Sequence, residues 1–137
     1  FRDNVVENCP GVGVGFGGCL NLTMHGNIVD RCHPCLFFGE PCDVQAVHNN
    51  HFFRDVENGG YWVEMVAWYP YGPYYIDLTQ NYWGTTDPDE ISTWILDGYD
   101  DPDVWMYIDF QPMADGPVRT ERATWGEVKR LFRGEVR

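Results

Sequence analysis

The chain has 137 residues, 44% of them hydrophobic and 16% aromatic, and a formal net charge of −12. That length fits one domain with a buried core, and so aromatic a composition excludes a disordered segment. Residues 1–118 hold three Arg, no Lys and 18 Asp or Glu, an acidity that argues against nucleic acid as a partner, because phosphate backbones need cationic neutralisation.

Phe1 opens the chain without a Met and a repeat begins almost at once, at Asn4, which predicts a processed product or a fragment of a longer precursor. Asn27 has Leu22 and Met24 before it and Val29 after it. Asn50 has Gln45 and Val47 before it and Phe52 after it, and Asn81 has Ile76 and Leu78 before it and Trp83 after it. The steps between these Asn residues are 23, 23 and 31 residues. Alternation on either side of each Asn is the period-2 signature of strands with one buried face. A 23-residue step is too short for a strand–helix–strand unit, which takes roughly 30 residues, but it fits one turn of a β-solenoid. Coils are therefore expected at 1–24, 25–47 and 48–80, the third carrying an insertion at 68–75.

Cysteines give a second register. Cys9 and Cys32 are 23 residues apart, as are Cys19 and Cys42, and Val14 with Phe37 and Val12 with Cys35 keep the same offset. These four Cys are expected as core stacks, thiol or disulfide, with Cys35 left over. The Cys32–Cys35 spacing is also that of redox or zinc sites, but the in-register cysteines favour a core role. The ladder Asn4, Asn27, Asn50 and Asn81 is expected to be structural, because an Asn amide can satisfy the backbone of buried turns above and below it. Gly11–Phe16 lacks a following helix pattern, so it is not a nucleotide loop. His25, His33, His48 and His51 fall in or near turns and are expected to be solvated.

The segment Trp68–Tyr75 (WYPYGPYY) is the most suggestive patch. An aromatic loop on a solenoid cannot all be core, and its rings offer flat faces to sugars. Trp68, Tyr69, Tyr71, Tyr74 and Tyr75 are the candidate carbohydrate-binding residues. Beyond it, Thr86 or Asp87 can cap a helix that places Ile91, Trp94 and Ile95 on one face. Gly98 and Pro102 stop that helix. Trp105, Tyr107 and Asp109 alternate with Met106, Ile108 and Phe110 as a final strand laid on the last coil. The intervening Asp97, Asp100, Asp101 and Asp103 carry oxygens suited to calcium but lack the spacing of a defined loop, so no metal or cofactor is assigned. Thr124 to Phe132 has the capping-box spacing and apolar stripe of a short basic amphipathic helix, expected to dock on the acidic body.

Asn81, Trp83 and Gly84, then Ile91, Ile95, Asp97, Asp100 and Asp101, and Tyr107–Pro112 resemble the C-terminal end of bacterial right-handed parallel β-helix repeat proteins, the pectate-lyase-like and NosD-like group. The resemblance covers 4–114, most closely 81–114. It implies an all-β fold: a right-handed parallel β-helix of about three to four coils with a C-terminal cap containing a short helix and a final strand. It also implies an exported setting, secreted, periplasmic or at the cell surface. The domain boundaries expected are coils at 1–84, a helix–strand cap at 85–114, and a linker with the basic helix at 115–137.

No acid, base or nucleophile cluster stands out, so the expected function is non-catalytic: a scaffold, or binding of a polysaccharide or cell-surface glycan. One alternative is a short relative or tail of a polysaccharide lyase or hydrolase, with Asp30, Asp55, Glu57 and Glu64 as the acidic candidates. Another is self-association through the open N-terminal coil, whose strand edge invites a second copy. No run of 18 apolar residues occurs, so no membrane span is expected.

Overall fold

The computed structural model describes residues 1–40, 42–54, 63–65 and 72–117. Among these, the chain is mostly β: β1 (Val5–Glu7), β2 (Val14–Phe16), β3 (Leu22–Met24), β4 (Ile28–Cys32), β5 (Leu36–Phe38), β6 (Val44–Val47), β7 (His51–Arg54), β8 (Val63–Met65), β9 (Tyr74–Asp77), β10 (Ile95–Leu96) and β11 (Met106–Asp109), with one helix, α1 (Pro88–Ser92), between β9 and β10. The basic helix expected at 124–132, within the 115–137 segment, lies outside the described residues.

All pairings between these strands are parallel. The sheets run β1-β4-β7, β10-β8-β5-β2, β3-β6 and β11-β9. Val5 pairs with Ile28 and Ile28 with His51, so the first sheet repeats every 23 residues. The second does not. Val14 pairs with Leu36 rather than Phe37, and Phe37 faces Gly15, because the turn from Asp30 to Leu36 is one residue shorter than the turn from Glu7 to Val14. An irregularity between Leu22 and Thr23 restores the longer offset, and Thr23 pairs with Ala46.

Alternation along the strands decides what is buried. Leu22 and Met24 point inward and Thr23 outward; Ile76 points inward between exposed Tyr75 and Asp77; Met106 and Ile108 point inward on either side of Tyr107. The inward set forms one core with Val29, Leu36, Phe38, Val47, Phe52, Leu78 and Ile91. Trp83 is fully buried there, its ring 5.0 Å from Phe52.

The four Asn form a continuous hydrogen-bonded row. Asn4 Nδ2 and N donate to Asn27 Oδ1, both at 3.0 Å; Asn27 Nδ2 and N donate to Asn50 Oδ1 at 2.8 and 3.1 Å; Asn50 Nδ2 and N donate to Asn81 Oδ1 at 3.0 and 2.8 Å. The remaining amide protons reach strand-end carbonyls, His25 O from Asn27, Met24 O and His48 O from Asn50, and Val47 O and Leu78 O from Asn81. A residue with left-handed backbone precedes every member: Asp3 (φ 54°), Gly26 (68°), Asn49 (58°) and Gln80 (59°). That conformation reverses the chain abruptly, and Gly, Asn and Asp adopt it at least cost. It delivers each Asn side chain to the same inward position.

The end of the described chain differs from the sequence reading in where the helix stops, at Ser92 and not at Gly98 and Pro102, and in where Ile95 lies. Asp87 caps α1, accepting from Asp89 N and Glu90 N, with Pro88 in the first turn. The helix stops at Ser92, because both the N–H and the hydroxyl of Thr93 turn back onto the Glu90 carbonyl. Ile95 therefore belongs to β10 rather than to a helical face with Ile91, although Ile91, Trp94 and Ile95 are all buried.

Candidate functional site

The outer face of the β9–β11 pair carries the largest exposed aromatic group among the described residues. Tyr75 pairs with Tyr107 in register, and their rings stack at 5.3 Å with 25° between planes. Tyr99, in the turn before β11, meets Tyr107 edge-on at 4.9 Å and 73°. Tyr75 and Tyr99 are 64% and 72% exposed, so two rings present open faces while Tyr107 anchors them. Trp105, also exposed, lies one strand position before Met106 and packs beside Gly72. Gly98 is what lets the turn approach this closely, because a Cβ there would lie 2.7 Å from the Tyr107 ring and from the Val104 carbonyl.

Asp77 and Asp109 stand directly opposite each other on the same face. Like charges in that position destabilise a sheet. Burial pushes Asp77 upward, but the Thr79 N–H and hydroxyl and the His48 ring outweigh it and hold the carboxyl below its ordinary value. His48 Nε2 lies 3.1 Å from Asp77 Oδ2. Loss of solvent first, and then the Asp109 charge, raise the Tyr99 phenol above its ordinary value. The platform thus combines flat apolar rings, a phenolic donor and carboxylate acceptors.

An open cleft of about 390 Å³ adjoins it, lined by Gly18, Cys19, Leu20, Cys42, Asp43, Val44, Tyr74 and Tyr75. Leu20 is 82% exposed at its mouth. Tyr75 belongs to both cleft and platform, which makes the two one continuous surface.

Of the five aromatic residues singled out from the sequence, Tyr74 and Tyr75 lie on β9, not in a protruding insertion, because β9 is hydrogen-bonded into the β11 pair. Trp68, Tyr69 and Tyr71 lie outside the described residues. Sequence reasoning did not assign Tyr99, Tyr107 or Trp105 to a site. The alternation of 105–110 is a usable signal that places Trp105, Tyr107 and Asp109 on one face, but the partner strand that completes the cluster is not legible in it.

The other candidates separate. Asp30 contacts Arg31 at 2.9 Å, and Glu7 reaches the same guanidinium at 3.6 Å. Asp55 and Glu57 lie outside the described residues, as does the side chain of Glu64. Asp97 is buried rather than solvated: Oδ1 accepts from Tyr99 N at 2.8 Å and Oδ2 from Ile108 N at 2.9 Å, while Asp100, Asp101 and Asp103 face solvent or its edge. His51 is also fully buried, between the rings of Phe53 and Tyr82, and burial lowers its pKa to about 4. It differs from the expected solvated turn position because it starts β7, in register with Ile28. Among the described residues, no three His, Cys, Asp or Glu are grouped to hold a metal ion, and no helix is long and apolar enough to cross a membrane.

Compared with known proteins, the chain matches no family model, no curated protein and no solved structure.

Proposed function

We propose that this chain is a non-catalytic, right-handed parallel β-helix module of an exported bacterial protein, and that it binds carbohydrate on the β9–β11 face. The architectural half is supported by the uniformly parallel pairing, by offsets of 22 to 32 residues between paired strands, and by the Asn row that crosses successive repeats. The right hand follows from the general preference of parallel crossover connections. The binding half is carried by one observation: Tyr75 and Tyr99 are exposed, clustered on the half-buried Tyr107 and flanked by carboxylates. Pyranose rings offer C–H faces to aromatic faces and hydroxyls to carboxylates and phenols, so a sugar matches the surface on both counts.

A glycan array probed with the purified chain, beside a Tyr75→Ala/Tyr107→Ala variant of matched circular dichroism, tests this. Binding by the native chain that disappears in the variant is the expected result. Binding unchanged by the substitutions, or none by the native chain, overturns it.

A second reading has an observation of its own. β1, β2 and β3 each end a sheet, and Phe1, Val5 and Val12 on that side are about half exposed. An open edge with apolar side chains favours pairing with a second copy. Light scattering decides it: a monomer at all concentrations removes this reading.

A further inference from the structure

We infer that Cys9–Cys32 and Cys19–Cys42 are two disulfide sites that cross-link neighbouring repeats, with Cys35 excluded as a free thiol. Cys9 lies two residues past Glu7 and Cys32, at the end of β4, two past its register partner Asp30, and the Cys9 backbone and thiol are among the groups that act on the Cys32 thiol. The Cys19 backbone and thiol act on the Cys42 thiol in the same way, and Asp43 N donates to Cys19 O at 2.8 Å. Neighbouring parallel strands stand about 4.8 Å apart, inside the Cα separation of roughly 4.4–6.8 Å that a disulfide spans.

The four thiols also share one local geometry. Each lies within 3.4–3.8 Å of the carbonyl two residues earlier: Cys9 with Glu7, Cys19 with Gly17, Cys32 with Asp30 and Cys42 with Glu40. Partners within a pair therefore project in the same sense from matching positions, Cys9, Cys19 and Cys42 in the turns just outside the strands and Cys32 at the end of β4. Cys35 is different. Its sulfur turns to Phe53 O at 3.2 Å, on the β7 side of β4, whereas the Cys32 sulfur lies toward Val6 O, on the β1 side. Closure within the Cys32–Cys35 pair would turn one of them away from its contacts. Cys9, Cys19 and Cys42 are half-buried, so a small oxidant reaches one member of each pair.

The chemistry is thiol–disulfide exchange with a low-molecular-weight disulfide such as oxidised glutathione. One protein thiolate attacks a glutathione sulfur, forming a mixed disulfide and expelling a glutathione thiolate. The partner thiolate then attacks the protein sulfur, closing the bridge and expelling the second glutathione thiolate. Each bridge thus takes two electrons and two protons from the protein and reduces one disulfide to two thiols.

The native chain is incubated in a glutathione redox buffer, quenched with acid, alkylated with iodoacetamide in denaturant, and digested without reduction. The expected result is an intact mass lower by four hydrogens before alkylation, a single alkylated residue at Cys35, and joined peptides carrying Cys9–Cys32 and Cys19–Cys42. The urea midpoint of the oxidised chain should exceed that of the reduced chain, and a Cys9→Ser/Cys19→Ser variant should lose that difference. Alkylation of all five Cys, a Cys32–Cys35 link, or glutathione retained on the protein overturns the assignment.

Discussion

Asp97 Oδ2 accepts the backbone N–H of Ile108 at 2.9 Å, from a residue that is only 4% exposed. Its other oxygen holds Tyr99 N, so a single carboxylate ties the turn after β10 to the middle of β11. Tyr99 and Tyr107 flank these two anchor points. The carboxylate therefore sets the geometry of the aromatic cluster.

Replacing it leaves the buried Ile108 N–H and the half-buried Tyr99 N–H without this acceptor. Asp97→Ala is expected to cost about 3 kcal/mol, and Asp97→Asn about half of that, since the amide oxygen can keep one bond. Urea unfolding measures both. An Ala variant within a few tenths of the native stability would show that the turn holds without the carboxylate.

The Asn row predicts a gradient. Asn50 is fully buried, serves both the N–H and the amide of Asn27, and donates to Met24 O and His48 O. Asn4 lies at the exposed end and gives its amide to Arg2 O and Asn27. Asn50→Ala is expected to cost about 3 kcal/mol or more, and Asn4→Ala about 1 kcal/mol. Equal losses at the two positions would contradict an account in which burial sets the cost.

The interval that relates Asn4, Asn27 and Asn50 is legible without a structure, because a ladder needs the same residue at the same place in each repeat. It is also the pairing interval of β1, β4 and β7. The one-residue slip at β2–β5 is not legible, since nothing in Asn8–Gly13 or Arg31–Cys35 states how many residues a turn will use. The left-handed position before each Asn is equally hidden, because Asp3, Gly26, Asn49 and Gln80 share a backbone conformation and not a side chain. As for the site, alternation puts Tyr107 and Asp109 on the face opposite Met106 and Ile108 but does not say which face is outward. Only the parallel pairing of β11 onto β9 places them opposite Tyr75 and Asp77, across 32 residues of sequence.

His51 makes the fold sensitive to mild acid. Its folded pKa, about 4, lies below the ordinary 6.5, so the unfolded chain takes up a proton between those values and the folded chain does not. The contribution is complete above pH 6.5 and is lost as pH falls toward 4, by about 3 kcal/mol at most. Asp97 works in the other direction. Burial raises it above 3.8 despite the two N–H bonds, so its contribution is greatest below that value and falls as pH rises through the raised one. His51→Gln is expected to be less stable at pH 7 yet to flatten the pH 7 to pH 4.5 slope of urea-unfolding free energy. A variant with the native slope would assign the acid sensitivity elsewhere.

If the proposed carbohydrate-binding reading holds, the opposed pair Asp77 and Asp109 is expected to set which sugars the β9–β11 face accepts. Two carboxylates facing each other are a cost to the sheet, and at a binding face they repel uronates while attracting ammonium and hydroxyl donors. The chain is expected to prefer neutral or amino-sugar oligomers over oligogalacturonate, with the gap narrowing at high salt as the charges are screened. Each exposed carboxylate contributes roughly 0.2–1 kcal/mol, so Asp77→Asn/Asp109→Asn should reduce the discrimination several-fold while retaining affinity for a neutral oligomer. Calorimetric titration with glucosamine and galacturonate oligomers at two salt concentrations reads this directly. Tighter binding of the galacturonate oligomer, or discrimination untouched by the double substitution, would take the carboxylates out of recognition and leave it to the rings of Tyr75, Tyr99 and Tyr107 alone.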